Sequence, residues 1–213
     1  MPVKLNEREY RRIDIRNIEA RTDEAGQMIV EGYATTFNQP YKLIEDREII
    51  LNEQVDRNAF AETDMSDVIM QYDHEGRVFA RTRNGTLTVE PDEHGLKIRA
   101  DLSGTTIGRQ LYEEIVGGYT DRMSFGFTVK EDDRKRGEEN GKRTIMRTIT
   151  KIGKLFDVSA VSMPANDATE ISARSIGDGL ITEALEEIRA EEERQRKIGE
   201  IRKILKGDTS HDE

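Results

Sequence analysis

Apolar and polar residues alternate through most of the chain, with the two-residue period of strands that bury one face. After a charged lead-in, "RIDIRNIEAR" and "QMIVEGYATTFN" show the pattern on either side of Gly26, which predicts an opening hairpin. "YKLIEDREIIL" reads as another strand, "QVDRNAFAE" as a short helix, and "DVIMQYDH" as an apolar strand that runs out on Asp73, His74 and Glu75. "VFARTRN", "GTLTVEPD" and "GLKIRADL" are short alternating runs divided by Asn84-Gly85 and by "PDEHG"; these turn signals predict a β-meander.

The period changes in "TTIGRQLYEEIVGG", where Ile107, Leu111 and Ile115 recur every four residues. Thr105 or Thr106 can cap this helix and Gly117-Gly118 can end it. The strand "MSFGFTVKE", a hydrophilic tip "DDRKRGEENGKR", the returning strand "TIMRTITKIGKL" and the strand "FDVSAVSMPA" follow, the last stopping at Pro164. From Asp178 the chain is dense in Glu, Arg and Lys and favours helix. The expectation is an α+β fold, a mainly antiparallel β-barrel, closed or nearly closed, with a few surrounding helices. Residues 1–176 would form this domain and residues 177–213 a charged helical tail.

Composition narrows the function. With 213 residues, 35% hydrophobic and 36% charged, one core is expected. No apolar run approaches the roughly 20 residues that span a bilayer, and the start lacks the apolar centre of a signal peptide, so a cytoplasmic, membrane-free protein is expected. The absence of cysteine excludes disulfides, thiolate metal sites and a cysteine nucleophile. A net charge of −10 argues against direct nucleic-acid binding.

A serine nucleophile needs a base with a pKa near the working pH, and the histidines are His74, His94 and His211. His211 lies in the polar terminus and His94 in the "PDEHG" turn; His74 emerges from the apolar run "DVIMQY" at a rim position where loops present functional groups. Ser124 in "DRMSFGF" is either a nucleophile or the polar face of a strand, since no G-x-S-x-G elbow surrounds it. Asp157 in "KLFDVSAVSMPAN" is either the acid that orients an imidazole or a strand-end cap or ion-pair partner of an arginine.

Four segments together, "EGYATTFN", "YDHEGRVFARTRNGTLTVEPDEHGLKIRADL", "GGYTDRMSFGFTV" and "LFDVSAVSMPANDATEI", resemble the prohead (capsid maturation) serine proteases of tailed bacteriophages, over roughly residues 10 to 175. That family is similar in fold to the herpesvirus assemblins. The resemblance implies Ser124 as nucleophile and His74 as general base, with Asp157 ranked first as orienting acid, Glu75 second and His94 third. Members often carry His followed by Asp; this chain has Asp73 before His74 and Glu75 after it.

Further implications are cleavage of the scaffold segment of the major capsid protein and of the protease itself, inside the assembling prohead in the host cytoplasm. The herpesvirus analogy suggests a homodimer. No cofactor and no metal are expected, because Asp73, His74 and Glu75 as strand neighbours would point to opposite faces. Residues 1 to about 10 and beyond about 176 are candidate zones of self-removal, judged by their polarity, and the segment Gly117 to Arg122 could offer oxyanion amides. The rival functions are a catalytically silent capsid-assembly or scaffold protein and a metal-dependent hydrolase built on His74.

Overall fold

Gly26, at φ 80°, turns the chain between β2 (Ile18–Thr22) and β3 (Met28–Thr36), so the predicted hairpin forms where the alternation placed it. The computed structural model describes residues 7–13, 18–45, 47 and 49–162, together with 182, 186, 189–190 and 193–202. The chain divides into two compact units, residues 4–175 and residues 176–213 with 1–3. In the second unit residues 193–202 are helical, with an exposed Lys197–Glu193 ion pair one turn apart. Thr182, Glu186, Arg189 and Ala190 are helical as well; the other residues of the predicted tail lie outside the described residues, as does His211.

Strands dominate the first unit and form two sheets. The smaller has the order β2-β3-β9-β8, all antiparallel, with β8 at Leu87–Pro91 and β9 at Gly95–Asp101. The larger, seven-stranded sheet follows the order β1-β10-β11-β5-β4. Here β1 is Arg8–Ile13, β4 Tyr41–Glu45, β5 Ile49–Val55, β10 Arg122–Glu139 and β11 Lys142–Val161. Strands β6 (Ile69–Tyr72) and β7 (Glu75–Arg81) complete it; β6 lies parallel to the end of β11. Apolar side chains from both sheets, among them Val30, Ala34, Ile98, Phe125, Phe127 and Val158, share one core. Among the described residues no ladder joins the two sheets, so backbone pairing makes a curled sheet and a second sheet rather than a closed cylinder.

Several sequence expectations are corrected. "RIDIRNIEAR" serves two sheets, its first residues in β1 and its last in β2. "YKLIEDREIIL" is the antiparallel pair β4 and β5. "QVDRNAFAE" ends β5 and then turns without making a helix: Asp56 takes the Asn58 N–H on its side chain, and short i→i+3 bonds carry the chain past buried Ala59 and Phe60. The meander breaks because β7 pairs back onto β6 while β8 and β9 join the other sheet. Helix α1 (Thr106–Val116) is capped by Thr105, whose hydroxyl accepts from Gly108 N, and buries Leu111 and Ile115.

The charged tip is longer than a turn. Strands β10 and β11 stay paired out to Glu139 and Lys142 around Asn140-Gly141. Nearer the core, Ile145, Arg147 and Ile149 are buried at spacing two, then Ile152, Leu155 and Asp157 at spacings of three and two. The two steps of three coincide with bulges at Thr150 and Gly153, and a third bulge, at Phe156, lies between Leu155 and Asp157; all three residues are left out of the one-to-one pairing.

A buried ion cluster ties these strands together. Arg11 on β1 meets Glu53 at 2.5 Å and Glu9 at 2.6 Å, while Arg147 meets Glu53 at 2.8 Å, Asp132 at 2.7 Å and Glu9 at 3.0 Å. Burial raises the Glu53 pKa, but the two guanidiniums outweigh it and bring it down to about 2. Removing one partner of a buried pair leaves an uncompensated charge and typically costs about 3–5 kcal/mol. Arg147→Ala is therefore expected to lower unfolding free energy by about that amount, read as a shift of the urea midpoint. Because the folded Glu53 titrates below its unfolded value, its contribution is complete above about pH 5 and disappears as pH falls toward about 2. Urea titrations across that window are expected to show the decline.

Candidate active site

Alternation in "RMSFGF" sends Met123, Phe125 and Phe127 into the core and leaves Ser124 and Gly126 on the opposite face of β10. Ser124 stands across the ladders from Arg12 on β1 and from Ser159 on β11.

His74 is delivered by a two-residue turn. Asp73 and His74, at φ 46° and 62°, link β6 to β7, with Tyr72 and Glu75 paired across them. Both φ values are left-handed, the geometry of a type I′ turn that normally takes Asn-Gly; Asn140-Gly141 at φ 52° and 76° is this chain's ordinary example. Holding a histidine in that region costs on the order of 1–3 kcal/mol. The surroundings hold the turn in place: Asp73 N donates to the Ala160 carbonyl, and the Asp73 carboxylate accepts from Ser162 N. Asp73 and His74 are therefore turn residues, and the strand-neighbour argument about their directions does not apply to them.

The three candidate residues meet. His74 Nε2 is 2.5 Å from Ser124 Oγ, and His74 Nδ1 is 2.5 Å from Asp157 Oδ1. Asp157 is anchored twice more, accepting from Ser159 Oγ at 2.8 Å and pairing its other oxygen with the Arg8 guanidinium. Asp157 thus faces an imidazole and is also the ion-pair partner of an arginine. Burial pushes the Asp157 carboxyl up, but the bonds from His74, Ser159 and Arg8 bring its pKa below the ordinary carboxylate value. Hydroxyl, imidazole and carboxylate in this order form a path along which a proton can leave the oxygen while the carboxylate stabilises the imidazolium.

Glu75 heads β7 as an exposed residue, and His94 lies in an exposed turn with its ring against Tyr33. Of the segment proposed for oxyanion amides, the N–H groups of Gly117, Gly118 and Tyr119 are committed to carbonyls of the α1 C-terminus.

Sequence reasoning missed four neighbours. Arg8 and Tyr10, on β1, reach Asp157 and the His74 ring, with ring centroids 4.5 Å apart in the second case. Ser159 was readable as the "VSA" serine two residues beyond Asp157, on the same strand face. Gly126 makes room: a Cβ there would stand 2.3 Å from Asp157 Oδ2 and 2.9 Å from the Tyr10 ring. Gly126→Ala is expected to displace the carboxylate and lower turnover about 100-fold, the penalty for an ångström-scale misplacement. Comparing kcat with the urea midpoint separates this from unfolding.

A family model described as caudovirus prohead serine protease matches residues 16–180. The chain belongs to that family. Among solved structures, the capsid assembly protease of bacteriophage T4 is similar to this prohead protease family member at 11% identity and a TM-score of 0.38, covering 75% of this chain and 100% of that one. Comparison with curated proteins gives no match. The family match spans Ser124, His74 and Asp157 and leaves β1 outside it.

Proposed function

We propose that the chain is a serine endopeptidase in which Ser124 attacks a peptide carbonyl, His74 takes its proton, and Asp157 holds the imidazole. The unbroken hydrogen-bond chain from Asp157 through His74 to Ser124 carries this reading. In the first step the Ser124 oxygen bonds to the carbonyl carbon as its proton passes to His74 Nε2. Collapse of the tetrahedral adduct expels the amine, which receives that proton from His74 and leaves an acyl-Ser124. Water, deprotonated by the same nitrogen, then releases the acid and restores the hydroxyl. General-base assistance of this kind contributes about 10² to 10⁴ in rate.

The substrates are the scaffold segment of the major capsid protein and the chain itself, cut inside the assembling prohead in the host cell. Family membership supports this assignment. Residues 177–213 act as the separate, charged segment that engages scaffold.

A fluorophosphonate probe tests the mechanism directly. The expected result is a single adduct mapped by mass spectrometry to the peptide bearing Ser124, formed equally with and without chelator. An adduct elsewhere, or cleavage abolished by chelator, would overturn it. Unlabelled protein that supports shell assembly yet leaves the capsid protein uncut would favour a silent assembly protein.

A further inference from the structure

His74 reaches Ser124 and Asp157 from a turn at φ 46° and then 62°, a left-handed pair that Asn-Gly adopts readily and Asp-His adopts at a cost. Such a backbone persists only where its surroundings over-determine it. One hold is a backbone bond. Asp73 N donates to the Ala160 carbonyl at 3.1 Å and so extends the pairing of β6 with β11 one residue past Tyr72. That bond fixes where the turn begins; the direction in which His74 then departs depends on how the peptide plane after Asp73 is set.

The Asp73 side chain supplies a second hold. Its two oxygens take both donors of one residue, Oδ1 the Ser162 N–H at 3.3 Å and Oδ2 the Ser162 hydroxyl at 3.4 Å. Ser162 Oγ in turn accepts from the Tyr72 hydroxyl at 3.0 Å. Tyr72 and Asp73, the two residues that lead into His74, thus grip the same serine. Each bond to Asp73 is long taken singly. Two of them on one residue fix an orientation about which a single bond could pivot.

Ser162 directly follows β11, the strand that also bears Asp157 and Ser159. Base and orienting acid therefore share one mount: Asp157 is part of β11, and the turn that carries His74 is fastened to residues 160 and 162 at its end.

We propose that Asp73 is a positioning residue for the general base, its carboxylate holding the turn through Ser162 so that the His74 ring stands between Ser124 and Asp157. The consequence for rate rests on the endopeptidase reading above; the placement of the ring does not. The shape of the carboxylate carries this role, and its charge does not. The ring nitrogens of His74 bond to Ser124 and Asp157, while the Asp73 oxygens are spent on Ser162.

Two substitutions separate shape from charge. Asp73→Asn keeps an oxygen for the Ser162 N–H on a residue that accepts left-handed backbone. Asp73→Gly suits φ 46° better than aspartate does, yet removes the grip. Fluorophosphonate labelling of Ser124 and peptide hydrolysis are measured on both full-length variants, per folded molecule as judged by urea titration. The Gly variant is expected to lose about tenfold or more in kcat with KM unchanged, a displaced base being felt in the chemical step. The Asn variant is expected to stay near the wild-type rate with an unshifted pH–rate profile. A Gly variant at the wild-type rate overturns the proposal, and so does an Asn variant as slow as the Gly variant.

A measurement on the base alone keeps the two readings apart. In protein carrying isotope-labelled histidine, the Nδ1 proton of His74 held by Asp157 gives a low-field resonance, assigned by its loss in His74→Gln. It should persist in Asp73→Asn and vanish in Asp73→Gly; persistence in both overturns the proposal. A wild type that shows this resonance, loses it in Asp73→Gly, and yet neither labels at Ser124 nor cuts capsid protein would refute the endopeptidase reading and leave the role of Asp73 standing.

Discussion

Ser124→Ala, produced together with the capsid protein, is expected to leave that protein at full length while the wild type shortens it. The substitution removes the one atom that would form the acyl bond, and no cysteine is present to stand in. Losing a triad nucleophile lowers kcat by about 10⁴ to 10⁶, the residue of rate coming from binding and electrostatics alone. The fold should survive. The hydroxyl bonds to His74 and to the Arg11 carbonyl, and a lost neutral hydrogen bond costs only about 1 kcal/mol. Gel analysis of the capsid protein and the urea midpoint of the variant together check the prediction. Full-rate cleavage by the variant would remove Ser124 from the mechanism.

Asp157→Asn is expected to lower kcat by about 10³ to 10⁴. The amide keeps the shape but carries no charge to stabilise the imidazolium. If its NH₂ group faces His74 Nδ1, the imidazole proton moves to Nε2 and that nitrogen can no longer act as base. Here the environment adds a second penalty. The native carboxylate is buried, pairs with Arg8, accepts from Ser159 and titrates below its ordinary value, so the site is organised around an anion. Probe labelling should slow in parallel with peptide hydrolysis, whereas a purely structural role for Asp157 would shift the urea midpoint and leave the rate per folded molecule unchanged.

Much of this architecture was legible in the sequence, and the failures have physical causes. The Gly26 hairpin and the capped helix were readable because alternation, turn residues and a Thr cap agree there. The positions of Ser124, His74 and Asp157 were nameable from their residues, but only the resemblance joined them, since they lie 50 and 83 residues apart in pairs and the turn that presents His74 lacks the glycine that would announce it. β1 was hidden for a different reason. "REYRRI" reads as a charged lead-in because neither of its faces is apolar: Glu9 and Arg11 go into the ion cluster, Arg8 and Tyr10 onto Asp157 and His74. Period-2 reasoning looks for one greasy face, and a strand that buries Glu9 and Arg11 on one side and sets Arg8 and Tyr10 against polar partners on the other does not show it.

The bulges of β11 give this ribbon a phase, much as a reading frame has one. Arg147 and Asp157 are ten positions apart, an even number that uninterrupted alternation would place on one face. They face opposite ways, Arg147 toward Glu9 and Glu53 and Asp157 toward His74, because the three unpaired residues between them each advance the frame by one. Substitutions in this stretch alter contacts, but gain or loss of a single residue between Thr148 and Phe156 would shift the frame and exchange the carboxylate for an apolar neighbour. Length between these two charged residues is therefore as constrained as their identity, and drift in this ribbon can accept a change of letter far more readily than a change of count.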